Sequence, residues 1–287
     1  MPTEQRTPAA RLRALLAGPG LIRAPGAFVP ILARLIERFG FEAVYISGAG
    51  LSNGQLGLPD VGLLSMTEVV RMAGQIARST GLPTLCDADT GYGGPAMIRR
   101  AVGEFIQAGV AGIHLEDQVA DKKCGHLPGK QLVSTEEMVD RLEAAVAGRT
   151  DPDFVLVART DARSVEGLQG ALARARAYIE AGADAIFPEA LVSKEEFALF
   201  ARELPVPILA NMTEFGKSPL LTVEELREAG TRIVIYPQTC LRLMLKAAEG
   251  GLAELETQGT QAARLPLMQT RQELYDLLDY DGWNQTR

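Results

Sequence analysis

Residues 96–117 read Ala96-Met-Ile-Arg-Arg-Ala-Val-Gly-Glu-Phe-Ile-Gln-Ala108, then Gly109, then Val110-Ala-Gly-Ile-His-Leu115, then Glu116-Asp117. The first part spaces its apolar residues as one face of a helix does, with Pro95 at a first turn, where a missing N–H costs nothing. Gly109 stands where such a helix stops. Val110 to Leu115 is apolar almost throughout, as a strand is when both faces of its sheet are covered. The run ends in two acids. Helix, glycine, buried strand, charged strand end: this unit recurs along the chain.

Working outward, apolar segments at 21–24, 43–46, 84–86, 112–115, 154–158, 185–187, 208–210 and 232–236 predict strands. Stretches at 67–78, 96–108, 134–147, 168–181 and 193–203 predict helices between them, with Thr67 and Ser134 as N-caps. Ser134 and Glu137 form a capping-box pattern. Eight such units in about 250 residues is the arithmetic of a (β/α)₈ TIM-type barrel. An open doubly wound sheet is the alternative, but no G-x-G-x-x-G follows the first strand. A helix over 8–17 precedes the barrel, and helical stretches at 241–256 and 270–278 follow it. The expectation is one barrel domain over 1–287 with a C-terminal helical arm from about 241, either packed on its own barrel or reaching a partner subunit.

At 47% hydrophobic content the chain can build a large core. The net charge of −7, with no basic tail or aromatic-basic patch, speaks against nucleic acid. No apolar run is long enough to span a bilayer, and residues through Arg13 lack the apolar core of a signal peptide. Cys86, Cys124 and Cys240 show no disulfide or zinc spacing, which points to a reducing cytoplasm.

The ends of the predicted strands carry the chemistry. Ser47-Gly48, Asp87 and Asp89, Glu116-Asp117, Arg159 and Asp161, Glu189, then Asn211 and Thr213 follow successive strands. In a barrel those ends share one rim, where catalytic groups sit. Asp87-Ala-Asp89 in extended chain would set two carboxylates on one face, suited to Mg²⁺, or to Mn²⁺. Turn chemistry is the bland alternative. Residues 121–130, Asp-Lys-Lys-Cys-Gly-His-Leu-Pro-Gly-Lys, form a loop in which lysines and His126 surround Cys124. Nearby cations favour thiolate, so Cys124 suits an acid or base, with Lys122 and His126 beside it. A solvated charge run with an incidental cysteine would look the same. His114, inside a strand, reads as a packed or barrel-interior residue. Arg159 among acids suits bidentate recognition of a carboxylate, unless it merely pairs with Asp161 or Glu189. Tyr45 shares a strand face with Ser47 and reads as a buried tyrosine with its hydroxyl bonded.

Together, Lys122-Lys-Cys-Gly-His126, Asp87-Ala-Asp89 and Ala158-Arg-Thr-Asp161 resemble the isocitrate lyase / phosphoenolpyruvate mutase superfamily. Within it the chain is most similar to the 2-methylisocitrate lyases of the methylcitrate cycle. The stretches Tyr45-Ile-Ser-Gly48, Leu56-Gly-Leu-Pro-Asp60, Phe187-Pro-Glu-Ala190, Leu209-Ala-Asn-Met-Thr213 and Met268-Gln-Thr-Arg271 carry that likeness. The resemblance implies Mg²⁺-dependent cleavage of 2-methylisocitrate to pyruvate and succinate, in a homotetramer whose C-terminal helices are exchanged between subunits. It implies Asp87 and Asp89 as metal-binding acids, with Glu116 and Asp60 acting through water. It implies Cys124 as catalytic acid, and Tyr45 as the group that helps remove the hydroxyl proton. Ser47, Gly48, Ala49, Gly125, Arg159, Glu189, Asn211, Met212, Thr213, Arg242 and Arg271 match substrate-binding positions. Close relatives usually have glycine where this chain has Ala49, which matters only if that residue needs a positive φ. The rivals are 2,3-dimethylmalate lyase and isocitrate lyase activity, and, in a different class, a catalytically silent metabolite-binding barrel.

Overall fold

The computed structural model describes residues 6–122, 125–126 and 129–284. Among them eight strands alternate with helices: β1 (Ile22–Pro25), β2 (Val44–Ile46), β3 (Thr84–Asp87), β4 (Gly112–Glu116), β5 (Val155–Thr160), β6 (Ala185–Pro188), β7 (Leu209–Asn211) and β8 (Ile233–Tyr236). The helices through the barrel are α1 (Pro8–Ala17), α2 (Pro30–Arg38), α3 (Gly48–Leu56), α4 (Met66–Ala77), α5 (Pro95–Gln107), α6 (Thr135–Gly148), α7 (Gly167–Glu180), α8 (Lys194–Glu203) and α9 (Val223–Glu228). Then come α10 (Thr239–Gln258) and α11 (Arg271–Leu278).

All strand pairs are parallel, in the orders β2-β3-β4-β5-β6 and β1-β8-β7. Single bridges, Gly26 with Tyr45 and Ile186 with Ile208, join the two groups and close the barrel. Closure removes every sheet edge and makes all C-terminal strand ends neighbours. Alternation along the strands divides the core. Ile22, Tyr45, Leu85, Val155, Val157, Phe187 and Ile235 fill the barrel interior, while Val44, Ile46, Cys86, Ile113, Leu156 and Ile186 pack outward under the helices. Leu12 of α1 joins the interior cluster, and Arg13 bonds the Phe154 carbonyl and Asp184, just ahead of β5 and β6. The N-terminal helix therefore plugs the end of the barrel opposite the rim.

Helix starts follow the sequence with two corrections. α4 begins one turn earlier than Thr67 implies. Ser65 caps it, and Glu68 completes a capping box, because that pair satisfies donors at both ends of the turn. At α6 Ser134 accepts the Glu137 N–H, but the Glu137 carboxylate turns to Arg141 at 2.8 Å, a charge-assisted partner that outcompetes the backbone. Gly109 ends α5 with φ +87°, a conformation that costs any residue with a Cβ. Ser47 caps α3, an additional helix directly after β2.

The C-terminal arm is less covered than the barrel. α10 buries only Leu241, while Leu243, Leu245 and Leu252 are each more than 60% exposed. α11 lies beside α2 on the outside of the barrel. Among the described residues no helix is long and apolar enough to cross a membrane.

Candidate active site

The rim assembles what the strand ends promised. A cavity of about 230 Å³ is lined by Tyr45, Ser47, Ala49, Asp60, Asp87, Lys122, Gly125, His126, Arg159, Phe187, Glu189, Asn211, Thr213 and Arg242, with Asn53, Pro237 and Gln238 completing the wall. A second, wider cavity of about 480 Å³ lies beyond Lys122 and takes in Asp89. The smaller one is where charged groups from many strands converge, and it carries the chemistry.

Asp87, the last residue of β3, is 6% exposed. Its carboxylate accepts the Gly48 N–H at 3.3 Å and the Asp89 N–H at 3.0 Å. Asp89 is not in extended chain. Its φ of +47° turns the backbone after the strand, so the two acids meet through a tight turn rather than through strand alternation. An aspartate tolerates that region better than most residues because its short side chain bonds locally. Lys122 inserts its ammonium between Asp60, at 2.9 Å, and Asp89. Burial alone would disfavour that charge, yet Asp89, Glu116, Asp87 and Asp60 hold the ammonium firmly protonated.

Arg159, the last residue but one of β5, reaches three carboxylates: Glu116 at 3.1 Å, Asp161 at 3.0 Å and Glu189 at 3.6 Å. Its guanidinium also stacks over the Phe187 ring. Glu189 lies 2.9 Å from His126 Nε2 and accepts from the Asn211 amide at 3.2 Å. His126 Nδ1 in turn accepts the Lys217 N–H at 3.0 Å, so the ring proton sits on Nε2, facing Glu189. Burial pushes the Glu189 carboxyl up, but Arg159 and His126 outweigh it and hold it well below the usual range.

His114 is more than filler. Its Nε2 lies 2.8 Å from the Tyr45 hydroxyl and 3.6 Å from Asp87. Burial lowers its pKa to about 4, so the ring is neutral at pH 7. The neutral ring can take either role towards the Tyr45 hydroxyl, donating from Nε2–H or accepting the phenol proton at Nε2. Burial, and then Asp87, keep Tyr45 protonated.

Asp89 and Glu116 are held above their ordinary values. Burial raises Asp89 to about 6, with Asp87 adding repulsion, and raises Glu116 to about 8 against the pull of Arg159 and Lys122. The sign follows directly. A carboxyl whose folded pKa lies above its unfolded one favours folding fully below the unfolded value and loses that support as pH climbs through the folded value. For Glu116 the window runs from about pH 4.5 to about 8. Glu116→Gln is therefore expected to stabilise the metal-free protein at pH 8, by about 3 kcal/mol or somewhat less, and hardly at all at pH 4.5. Denaturant melts at the two pH values check this; an equal shift at both would contradict it.

Glu116 Oε1 is buried without a hydrogen-bond partner, while Glu116 Oε2 and Asp89 Oδ1 face only the Arg159 and Lys122 cations. Hard oxygen donors in an acid-rich pocket, one of them unpaired, suit a divalent ion. Among the described residues no three His, Cys, Asp or Glu side chains close into a metal cage. That too fits Mg²⁺, which takes one or two carboxylates and keeps waters or ligand oxygens for the rest. Asp87 faces the cavity and is the natural direct ligand, with Asp89, Glu116 and Asp60 around it.

Not every sequence candidate arrives at the cavity. Cys124, at the centre of the basic stretch, lies outside the described residues. Met212 turns its sulfur to the Leu221 N–H, away from the cavity. Arg271 is exposed at the start of α11 and does not reach the cavity within one chain. Ala49 sits inside α3 without a positive φ, so its methyl group is unstrained. Gln238, which the sequence did not single out, bonds Ser47 at 3.3 Å from the start of α10. Lys130 and Asp161 bond each other at 2.6 Å beneath the loop, and only their place in the quoted motifs hinted at it.

A closed parallel barrel with carboxylates, an arginine and a lysine-bearing loop at its C-terminal mouth defines a barrel enzyme for small anionic substrates. The chain belongs to the phosphoenolpyruvate phosphomutase family, whose model matches residues 12–256. It is 53% identical to a probable 2-methylisocitrate lyase of Corynebacterium glutamicum, over 95% of this chain and 89% of that one. It is 50% identical to the 2-methylisocitrate lyase of Aeropyrum pernix, over 95% and 87%. Among solved structures, oxaloacetate acetylhydrolase with 3,3-difluorooxalacetate superposes with a TM-score of 0.93 at 38% identity, covering 98% of this chain and 96% of that one. 2,3-Dimethylmalate lyase follows at 0.92 and 36%, covering 98% and 95%. Phosphonopyruvate hydrolase, solved with oxalate and Mg²⁺, gives 0.86 at 30% identity over 98% of both chains.

Proposed function

We propose that this chain is a divalent-metal-dependent carbon–carbon lyase that cleaves 2-methylisocitrate to pyruvate and succinate. The observation that carries the reading is the single rim cavity in which Asp87, Lys122, Arg159, Glu189 and the Tyr45–His114 pair meet. The identity to 2-methylisocitrate lyases, higher than to the dimethylmalate and oxaloacetate enzymes of the same fold, selects the substrate.

The residues divide the work. Arg159, Asn211, Ser47 and Thr213 bind the substrate carboxylates, and Arg242 closes the outer wall. Tyr45 takes up the substrate hydroxyl proton as its own phenol proton passes to His114 Nε2. The bond between the carbinol carbon and its neighbour then breaks, leaving pyruvate and a carbanion delocalised into the succinate carboxylate. Cys124 protonates that carbanion, with Lys122 supplying positive charge nearby and His126 at the same loop. Mg²⁺, or Mn²⁺, held by Asp87 with Asp89, Glu116 and Asp60 around it, would supply Lewis-acid polarisation of the substrate hydroxyl. Without a dication, Asp60, Asp87, Asp89 and Glu189 face mainly Lys122 and Arg159, a field that repels a tricarboxylate.

The exposed leucines of α10 fit a second copy of the chain, in line with a homotetramer that exchanges its C-terminal helices. Such exchange gives Arg271 a route to a neighbouring rim. Cys86 and Cys240 are free thiols, compatible with the cytoplasm.

The test is pyruvate release from 2-methylisocitrate, isocitrate and 2,3-dimethylmalate, each with Mg²⁺ and with EDTA. Turnover is expected with metal only, and at least ~10-fold faster on 2-methylisocitrate than on the other two, the scale that one misfitted methyl group commands. Metal-supported turnover of a rival substrate instead would move the assignment. Tight dicarboxylate binding with no turnover at all would make the chain a silent binding barrel.

A further inference from the structure

Lys130 has no part in the reading above, yet its side chain is only 1% exposed. Its ammonium donates to the Gly125 carbonyl at 2.5 Å and to Asp161 Oδ1 at 2.6 Å. Asp161 is itself fixed from behind, where its N–H donates to Asp117 Oδ1 at 2.8 Å. Asp117 is braced by the Thr160 and Tyr178 hydroxyls at 2.7 and 2.9 Å. The front of Asp161 faces Arg159, whose Nε and Nη2 donate at 3.0 and 3.3 Å. One buried carboxylate thus serves both the rim arginine and the loop lysine.

The other end of the lysine's reach is equally confined. A Cβ on Gly125 would collide with Arg159 Nη2 and the Glu189 side chain, so the Gly125 backbone lies directly on the rim. The plain alternative is that Lys130 merely neutralises Asp161. The geometry speaks against it, because Arg159 already pairs with both Asp161 oxygens. Removing the lysine would leave that carboxylate partnered. What it would lose is the bond to Gly125, the residue covalently next to Cys124.

We propose that Lys130 is a positioning residue for the reaction at this rim: seated on Asp161, it holds the Gly125 backbone against Arg159 and Glu189. The inference rests on the lyase reading above, and its test separates the two. In Lys130→Met and Lys130→Gln, kcat and KM on 2-methylisocitrate, the melting temperature, and hydrogen exchange of the peptide carrying Gly125 are measured, with and without oxalate as probe. The expected result is a kcat lower by about thirtyfold or more with KM changed less than about threefold, the signature of lost positioning. Exchange at Gly125 should quicken and stay quick with oxalate, while the rest of the barrel is unaffected. Double variants with Asp161→Asn should be less than additive, because both substitutions break the same link. Wild-type kcat with unchanged Gly125 exchange would overturn the proposal. So would exchange quickened throughout the barrel in both variants, which marks a purely structural role. If the wild type itself fails to turn over 2-methylisocitrate, the lyase reading falls, and Gly125 exchange still decides the role of Lys130.

Discussion

Asp87→Asn is expected to lower kcat/KM on 2-methylisocitrate by about three orders of magnitude and to weaken Mn²⁺ binding about tenfold or more. Asp87 combines two properties that Asp89 and Glu116 do not share. It lines the cavity, and it is ionised. Burial pushes its carboxyl up, but His114, Lys122 and Arg159 outweigh burial and hold it at about 2. Asparagine keeps the shape and removes the charge. One of its ends must also present an N–H₂ group to a backbone N–H, because Asp87 accepts from both Gly48 and Asp89. That clash costs about 1 kcal/mol, too little to unfold the barrel. Kinetics beside Mn²⁺ titration by electron paramagnetic resonance checks the prediction. Activity within tenfold of wild type, with metal affinity unchanged, would remove Asp87 from the metal's first coordination sphere.

Arg159→Met is the second large effect, and it touches stability as well as activity. Arg159 is the cation shared by Glu116, Asp161 and Glu189, all fully or almost fully buried. Taking one partner from a buried ion network costs about 3–5 kcal/mol, because the remaining charge is left uncompensated. The pH dependence of the Glu189 contribution should change sign, and between pH 8 and 5 it should add to that of Glu116. In the wild type the Glu189 carboxyl is held low, so its contribution is present above the unfolded pKa and lost as pH falls through the folded one. Without Arg159 the buried carboxyls are pushed upward instead, and stability should rise as pH drops from 8 toward 5. Urea melts at those pH values test this, and kcat/KM should fall by about 10³ with the loss of bidentate carboxylate binding. A variant as stable as the wild type at pH 8 would show that Glu116, Asp161 and Glu189 find other partners.

Much of this was legible in the chain. Helix–glycine–strand–acid units such as residues 95–117 stated the period, the direction of the strands and the end at which polar residues collect. Strand positions came within a residue or two, because a strand buried on both faces has few choices of composition. Capping was read less well. Ser65 against Thr67, and Glu137 turning to Arg141, were decided by competing partners that lie within a turn of each other and differ only in geometry. The extended geometry expected for Asp87 and Asp89 is not found: Asp89 adopts φ +47°, which no periodicity announces.

By itself the sequence determined the barrel, the rim and the list of groups on it, since these follow from local pattern repeated eight times. Only the tertiary structure decided which groups touch. His114 became the partner of Tyr45 and Asp87, Lys122 the counter-ion of Asp60 and Asp89, and Asp161 the shared seat of Arg159 and Lys130. Apart from Arg159 with Asp161, those pairings join residues far apart in the chain, and they exist because closing the barrel brings the ends of β2 to β6 around one mouth. Their charge states are set the same way. Burial and neighbouring charges move Asp87 and Glu116 in opposite directions, and neither burial nor a neighbour across the barrel is written in the order of residues.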